Sequence, residues 1–89
     1  MNSHINANFR KLFRALPEQV RDQAREAYKQ FSRDPYHPSL HFKQVHAKKP
    51  IYSVRVTRDY RALGLRDGDE IIWFWVGSHA EYDRLLSQM

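Results

Sequence analysis

Residues 51–86 read IYSVRVTRDYRALGLRDGDEIIWFWVGSHAEYDRLL, and how this stretch folds back on itself decides the architecture. IYSVRVT (51–57) alternates, with Tyr52, Val54 and Val56 on one face and Ser53, Arg55 and Thr57 on the other, which is the period of a half-buried strand. Arg58-Asp59 stands where a tight turn belongs, and YRALGLR (60–66) returns. Asp67-Gly68 is the strongest two-residue hairpin signal in the chain. EIIWFWV (70–76) is apolar on both faces, as a strand covered on both sides must be.

The end of the stretch changes period. Ser78-His79-Ala80-Glu81 matches the capping box of a helix N-terminus, in which serine and glutamate satisfy each other's backbone N–H groups. Tyr82, Leu85 and Leu86 then give that helix an apolar stripe. Upstream, SLHFKQV (39–45) reads as one more short strand, and the first third of the chain reads as helix. Phe9, Leu12, Phe13 and Leu16 recur at three- and four-residue steps, as do Val20, Ala24, Ala27, Tyr28 and Phe31. Pro17 suits the first turn of the second helix, and Asp34-Pro35 and His37-Pro38 end it. Helices followed by strands imply an α+β fold. The expected architecture is an N-terminal helix hairpin packed on one face of an antiparallel sheet of about four strands, with a short C-terminal helix. The opposite face of the sheet is expected to be open.

The composition narrows the function. Eighty-nine residues make one domain, 1–89, and 42% apolar content with 13% aromatic supports a packed core. There is no cysteine, which excludes disulfides, thiolate metal sites and cysteine nucleophiles and points to the cytoplasm. No segment has the length and apolarity of a membrane span or signal peptide, so no membrane association is expected. Fifteen Lys and Arg against ten Asp and Glu give a net charge of +5, which favours a polyanionic partner.

The candidate chemistry collects around His79. It stands at a helix N-terminus, where unpaired N–H groups favour a phosphate, and imidazole can exchange a proton near neutral pH. Arg55 and Arg61 lie on the two strands of the first hairpin. A two-residue loop would put them on opposite faces, whereas a three-residue loop would pair them directly and make a fork for phosphate. Lys43, Lys48, Lys49, Arg58 and Arg66 are candidate contacts to an RNA backbone. Trp73 and Trp75 read as core aromatics rather than base-stacking groups. His37, His41 and His46 do not make a metal site, because prolines interrupt the segment and the step from His41 to His46 splits them across strand faces.

LPEQVRDQAREAYKQFSRDPYHPSLHFKQV (16–45), YSVRVTRDYRALGLRDGD (52–69) and IIWFWVGSHAEYDRLL (71–86), in that order, resemble the RelE/ParE superfamily of type II toxins. The likeness covers nearly the whole chain, although the family's usual first strand is short or poorly marked, with only HIN (4–6) before the first helix. The resemblance implies a metal-independent, ribosome-dependent mRNA endonuclease with no cofactor. Its partners would be mRNA on the ribosome and a cognate acidic antitoxin, with operator DNA reached only through that antitoxin. In such enzymes a 2′-hydroxyl attacks the adjacent phosphate and leaves a cyclic phosphate and a free 5′-hydroxyl. The carry-over assigns His79 as general acid or base, Arg61 and Arg55 as charge stabilisers and Tyr82 as an orienting or stacking group. The same fold hosts ParE-type inhibitors of DNA gyrase and catalytically silent antitoxin-binding relatives, so these stand as alternatives.

Overall fold

The strand pairings follow from the alternation just described and from one pairing that it does not announce. The computed structural model describes all 89 residues. The chain runs β1 (Asn2–Ile5), α1 (Ala7–Arg14), α2 (Glu18–Arg33), a 3-10 turn (Pro38–Leu40), β2 (Lys43–Gln44), β3 (Ile51–Thr57), β4 (Tyr60–Asp67), β5 (Glu70–Ser78) and α3 (His79–Gln88). The sheet has five strands in the order β1-β5-β4-β3-β2, antiparallel except where β1 lies parallel to β5.

Two expectations change in number or extent. The poorly marked first strand is present, and it makes the sheet five-stranded rather than about four. It is a four-residue edge strand, in register from Asn2 opposite Glu70 to Ile5 opposite Trp73. The Tyr28 hydroxyl on α2 donates to its Ser3 carbonyl (3.2 Å), and Trp73 Nε1–H donates to Ser3 Oγ (2.7 Å). Conversely, the SLHFKQV strand shrinks to two residues. Ser39 and Leu40 enter the 3-10 turn, and His41 takes a left-handed conformation (φ 48°) that redirects the chain into β2.

Both N-terminal helices lie on one face of the sheet, α1 over β5 and α2 over β3. Their apolar stripes meet Val54, Ala62, Ile71, Trp73 and Val76, all buried. Phe31 sets its ring edgewise to Trp73 (5.3 Å) and Phe42 (5.1 Å), so the core is built around an aromatic cluster. Trp73 is 3% exposed, which agrees with its reading as a core residue.

The other face is not open along its length. α3 crosses it from the β3–β4 turn, where His79 N–H donates to the Asp59 carbonyl (2.7 Å), to the β2–β3 loop, where the His46 ring meets the Met89 carbonyl (3.4 Å). Tyr82, Leu85 and Leu86 cover Ile51, Leu63 and Trp75 there and form a second, smaller core. The helix stripe at 82, 85 and 86 needed an apolar counterpart, and this face of the sheet supplies it.

Candidate functional site

The facing of the two strand arginines is settled by a bulge. Thr57 pairs with Tyr60 across a two-residue turn, yet Arg55 pairs directly with Arg61, because Val56 is an extra residue in β3. One inserted residue shifts the side-chain parity and brings both arginines onto the α3 face. Like charges directly opposite one another destabilise a sheet, so this pairing is a liability unless an anion or a local acceptor relieves it. Arg61 finds acceptors: its Nη1 donates to the carbonyls of Thr57 (2.6 Å), Tyr60 (3.0 Å) and Arg58 (3.1 Å) and so grips the hairpin turn. Neither arginine forms an ion pair with a carboxylate, and nor does Arg58.

Across β4, Arg61 is opposite Gly77, so Arg55, Arg61 and Gly77 form one row on this face, two residues short of His79. The glycine has a reason. A Cβ at position 77 would stand 2.6 Å from the Trp75 ring, so only glycine leaves room for that indole to lie over the row. His79 opens α3 with its side chain about half exposed. Its Nδ1 lies 3.0 Å from Asp83 Oδ2, and a carboxylate only accepts, so Nδ1 carries the proton and Nε2 is the free nitrogen of neutral imidazole. Asp83 is not among the residues that the sequence singled out. Its place four positions after His79 on a helix was the available signal.

Tyr82 sits differently from the other three. It is 7% exposed and its hydroxyl donates to Ser53 Oγ (3.2 Å), so it pins α3 to β3 from beneath. The basic residues divide into two groups. Arg58 is in the turn beside Arg61, and Lys43 is opposite Ser53 and therefore on the α3 face. Lys48, Lys49 and Arg66 lie at the far end of the sheet, where the Arg66 N–H donates to the Pro50 carbonyl (2.9 Å). A groove of 740 Å³ between α2 and β3 takes in Arg55 and Arg58 but neither Arg61 nor His79, and Asp22 and Glu26 form its opposite wall. The cationic row thus borders this groove only at Arg55, and Arg61 and His79 lie outside it. No three His, Asp or Glu side chains are grouped to hold a metal ion.

The capping box is complete. Glu81 N–H donates to Ser78 Oγ (3.2 Å) while the Ser78 N–H (3.1 Å) and hydroxyl (2.9 Å) donate to Glu81 Oε1. The hydrogen bonds from the Ser78 backbone and side chain hold the Glu81 carboxyl below its ordinary pKa. Glu81 is therefore a fixed carboxylate and a poor proton acceptor. A depressed carboxylate stabilises the fold above its unfolded pKa, and that contribution is lost as pH falls through the lower folded value. Ser78→Ala should lower stability by about 1 kcal/mol in denaturant titrations at neutral pH, and the gap to the parent should narrow in acid. An unchanged midpoint would mean that α3 is held by its apolar stripe alone.

A family model described as the ParE-like toxin domain matches residues 18–84. The chain belongs to the ParE-like toxin family. The matched span runs from the start of α2 into α3 and contains Arg55, Arg61, His79 and Tyr82. No curated protein sequence matches the chain at a significant level. Among solved structures, a chain of the RelB–RelE antitoxin–toxin complex of Methanococcus jannaschii is 19% identical, with 91% of this chain and 96% of that one covered and a TM-score of 0.73. A chain of the RelBE2 toxin–antitoxin complex of Mycobacterium tuberculosis is 20% identical over 88% and 96%, with a TM-score of 0.70. The isolated RelE toxin of Escherichia coli is 14% identical over 99% and 98%, with a TM-score of 0.66. At these identities the likeness is one of fold. The ParE-like toxin domain therefore has the architecture of these RelE chains. No helix in it is long and apolar enough to cross a membrane.

Proposed function

We propose that this toxin is a metal-independent endoribonuclease that cleaves mRNA on the ribosome. The observation that carries the reading is the direct pairing of Arg55 with Arg61 on the α3 face, beside a hairpin turn that both Arg61 and His79 grip. Two guanidinium groups on one row, neither with a carboxylate partner, suit a phosphate whose charge rises in the transition state. His79 supplies the proton acceptor. With Nδ1–H held by Asp83, Nε2 takes the proton from the 2′-hydroxyl. The 2′ oxygen bonds to phosphorus, the bond to the 5′ oxygen breaks, and that oxygen leaves with a proton from water. Arg55 and Arg61 neutralise the oxygens between, and Tyr82 acts at one remove by holding α3 against Ser53.

The open site supports the ribosome as part of the reading. Arg61 and His79 lie outside the groove that Arg55 borders. A surface that does not enclose its substrate orients an extended strand poorly by itself, whereas positioning accounts for much of any rate gain. A ribosome that presents mRNA would supply what the toxin lacks. A cognate acidic antitoxin would cover the same cations, and three of the charges lie close enough for one segment to neutralise.

Mapping RNA ends after brief expression tests the proposal. Cleaved mRNA should carry 5′-hydroxyl and cyclic-phosphate ends. In Arg61→Lys cleavage should fall at least about tenfold, because an ammonium cannot reproduce the guanidinium fork. Intact mRNA together with DNA-damage signalling would replace this reading with gyrase inhibition, and harmless expression without antitoxin would leave a silent binding partner.

A further inference from the structure

At the end of the sheet away from His79, the residues that the proposed chemistry does not use form a cluster of their own. Tyr36, in the connection between α2 and the 3-10 turn, is 63% exposed, more than any other large apolar side chain in the molecule. It is nevertheless held in place. Its backbone N–H donates to Asp34 Oδ1 (3.0 Å), its hydroxyl accepts from Arg66 Nη1 (3.1 Å), and its ring lies 5.6 Å from that of Phe42. Phe42 stacks on Tyr52 at 5.0 Å, and the Arg66 guanidinium lies over both rings, 5.2 Å from Tyr52 and 6.0 Å from Phe42. A second bond, from Arg66 Nε to the Gly68 carbonyl (3.0 Å), fixes the guanidinium from the other side. The Arg66 N–H also holds the Pro50 carbonyl, which follows directly on Lys48 and Lys49. None of these three cations has a carboxylate partner.

We infer that Tyr36 and Arg66, with the loop that carries Lys48 and Lys49 tied to the Arg66 backbone through Pro50, form a second site that stacks an unpaired nucleobase of single-stranded RNA on the Tyr36 ring. A rigid, exposed aromatic surface flanked by unpaired cations has the chemistry that unstacked bases and their phosphates require. It costs little to use, because the ring is already ordered before a base arrives. The carboxylate of Asp34 accepts from a backbone N–H and pairs with none of the three cations, which together with the net charge of +5 favours nucleic acid over a protein segment. The five-residue step along β4 from Arg61 to Arg66 separates the two positions by about 17 Å along the strand, at roughly 3.4 Å per residue, and puts Arg66 on the opposite face of the sheet from the cationic row. The site rests on the RNA-directed reading above only in taking RNA as the polyanion, since cleavage is not needed for it.

The test is the affinity of the purified toxin for a 2′-O-methyl oligoadenylate 12-mer, which cannot be cleaved by its own 2′ oxygen, and for an abasic strand of the same length. Tyr36→Leu should weaken oligoadenylate binding about tenfold and leave abasic binding unchanged. Tyr36→Phe, which keeps the ring and loses the bond from Arg66, should stay within about twofold of the parent. Equal losses in the two variants would mean that the hydroxyl clip matters rather than the ring, and would overturn the site. So would a Tyr36→Leu toxin that binds oligoadenylate like the parent; that result would assign the tyrosine to a protein contact. The outcome is separable from the nuclease reading. Tyr36-dependent binding without mRNA cleavage keeps the site and removes the enzyme, while His79-dependent cleavage by a toxin whose oligoadenylate binding is indifferent to Tyr36 does the reverse.

Discussion

In His79→Ala, mRNA cleavage should fall by about 10²–10⁴-fold while the domain stays folded. The two halves of that expectation have separate grounds. In the proposed mechanism the imidazole is the proton acceptor at the row of arginines, and neither carboxylate of α3 is free to replace it. Glu81, the nearest carboxylate on α3, is held deprotonated and engaged by Ser78, with its pKa below the ordinary range. Asp83 lies a turn beyond His79 and serves it. The cost in stability is small because the side chain is about half exposed at the first position of α3 and its one hydrogen bond, to Asp83, is a surface contact of about 0.3–0.5 kcal/mol. The backbone bond from His79 N–H to Asp59 survives the substitution. Unchanged thermal melting with lost cleavage identifies a chemical role. A folded His79→Ala toxin that cleaves at the parental rate removes His79 from the mechanism.

Trp73→Ala should cost about 3–5 kcal/mol, out of a total stability on the order of 5–15 kcal/mol for a domain of this kind. Trp73 is 3% exposed, lies edgewise to Phe31 at 5.3 Å and 6.4 Å from Phe42, and donates from Nε1 to Ser3 Oγ. It therefore joins α2, β5 and the edge strand β1 in one contact set, and its removal leaves a large cavity where those three elements meet. Gly64 shows how tightly the site is filled, since a Cβ there would stand 2.7 Å from the indole. The measurement is chemical denaturation followed by circular dichroism. In thermal melts the loss should appear as a fall of more than about 12 °C, at roughly 4–8 °C per kcal/mol for this size. Trp73→Phe should lose less and mainly loosen β1, because Ser3 Oγ then has no indole donor. A Trp73→Ala domain within about 1 kcal/mol of the parent would mean that the helix face repacks around the gap.

These two residues mark the range of what could be read in advance. Trp73 reads as core because its strand is apolar on both faces, and that inference needs only local composition. His79 was placed at a helix start because the capping box is four residues long. Tyr82 was harder. The helical stripe puts it inward, and the structure buries it with its hydroxyl bonded to Ser53 and its ring edgewise to His79. The basic residues could not be sorted at all, because Lys43 and Arg58 differ from Lys48, Lys49 and Arg66 only in which end or face of the sheet they reach.

The sequence by itself determined the elements that carry a short period: two amphipathic helices, the three-strand meander from Ile51 to Ser78, and the capped helix after it. Each is specified by neighbours within a few residues, so a single pass along the chain recovers it. Tertiary structure alone decided the rest. The partner of β1 is at the other end of the chain, and a four-residue strand with polar members has no pattern of its own strong enough to announce it. The shared facing of Arg55 and Arg61 depends on one extra residue, Val56, and a change of one residue reverses every side chain beyond it. That the α3 face is half closed follows from where the helix stripe finds apolar area to bury, which only the assembled sheet provides.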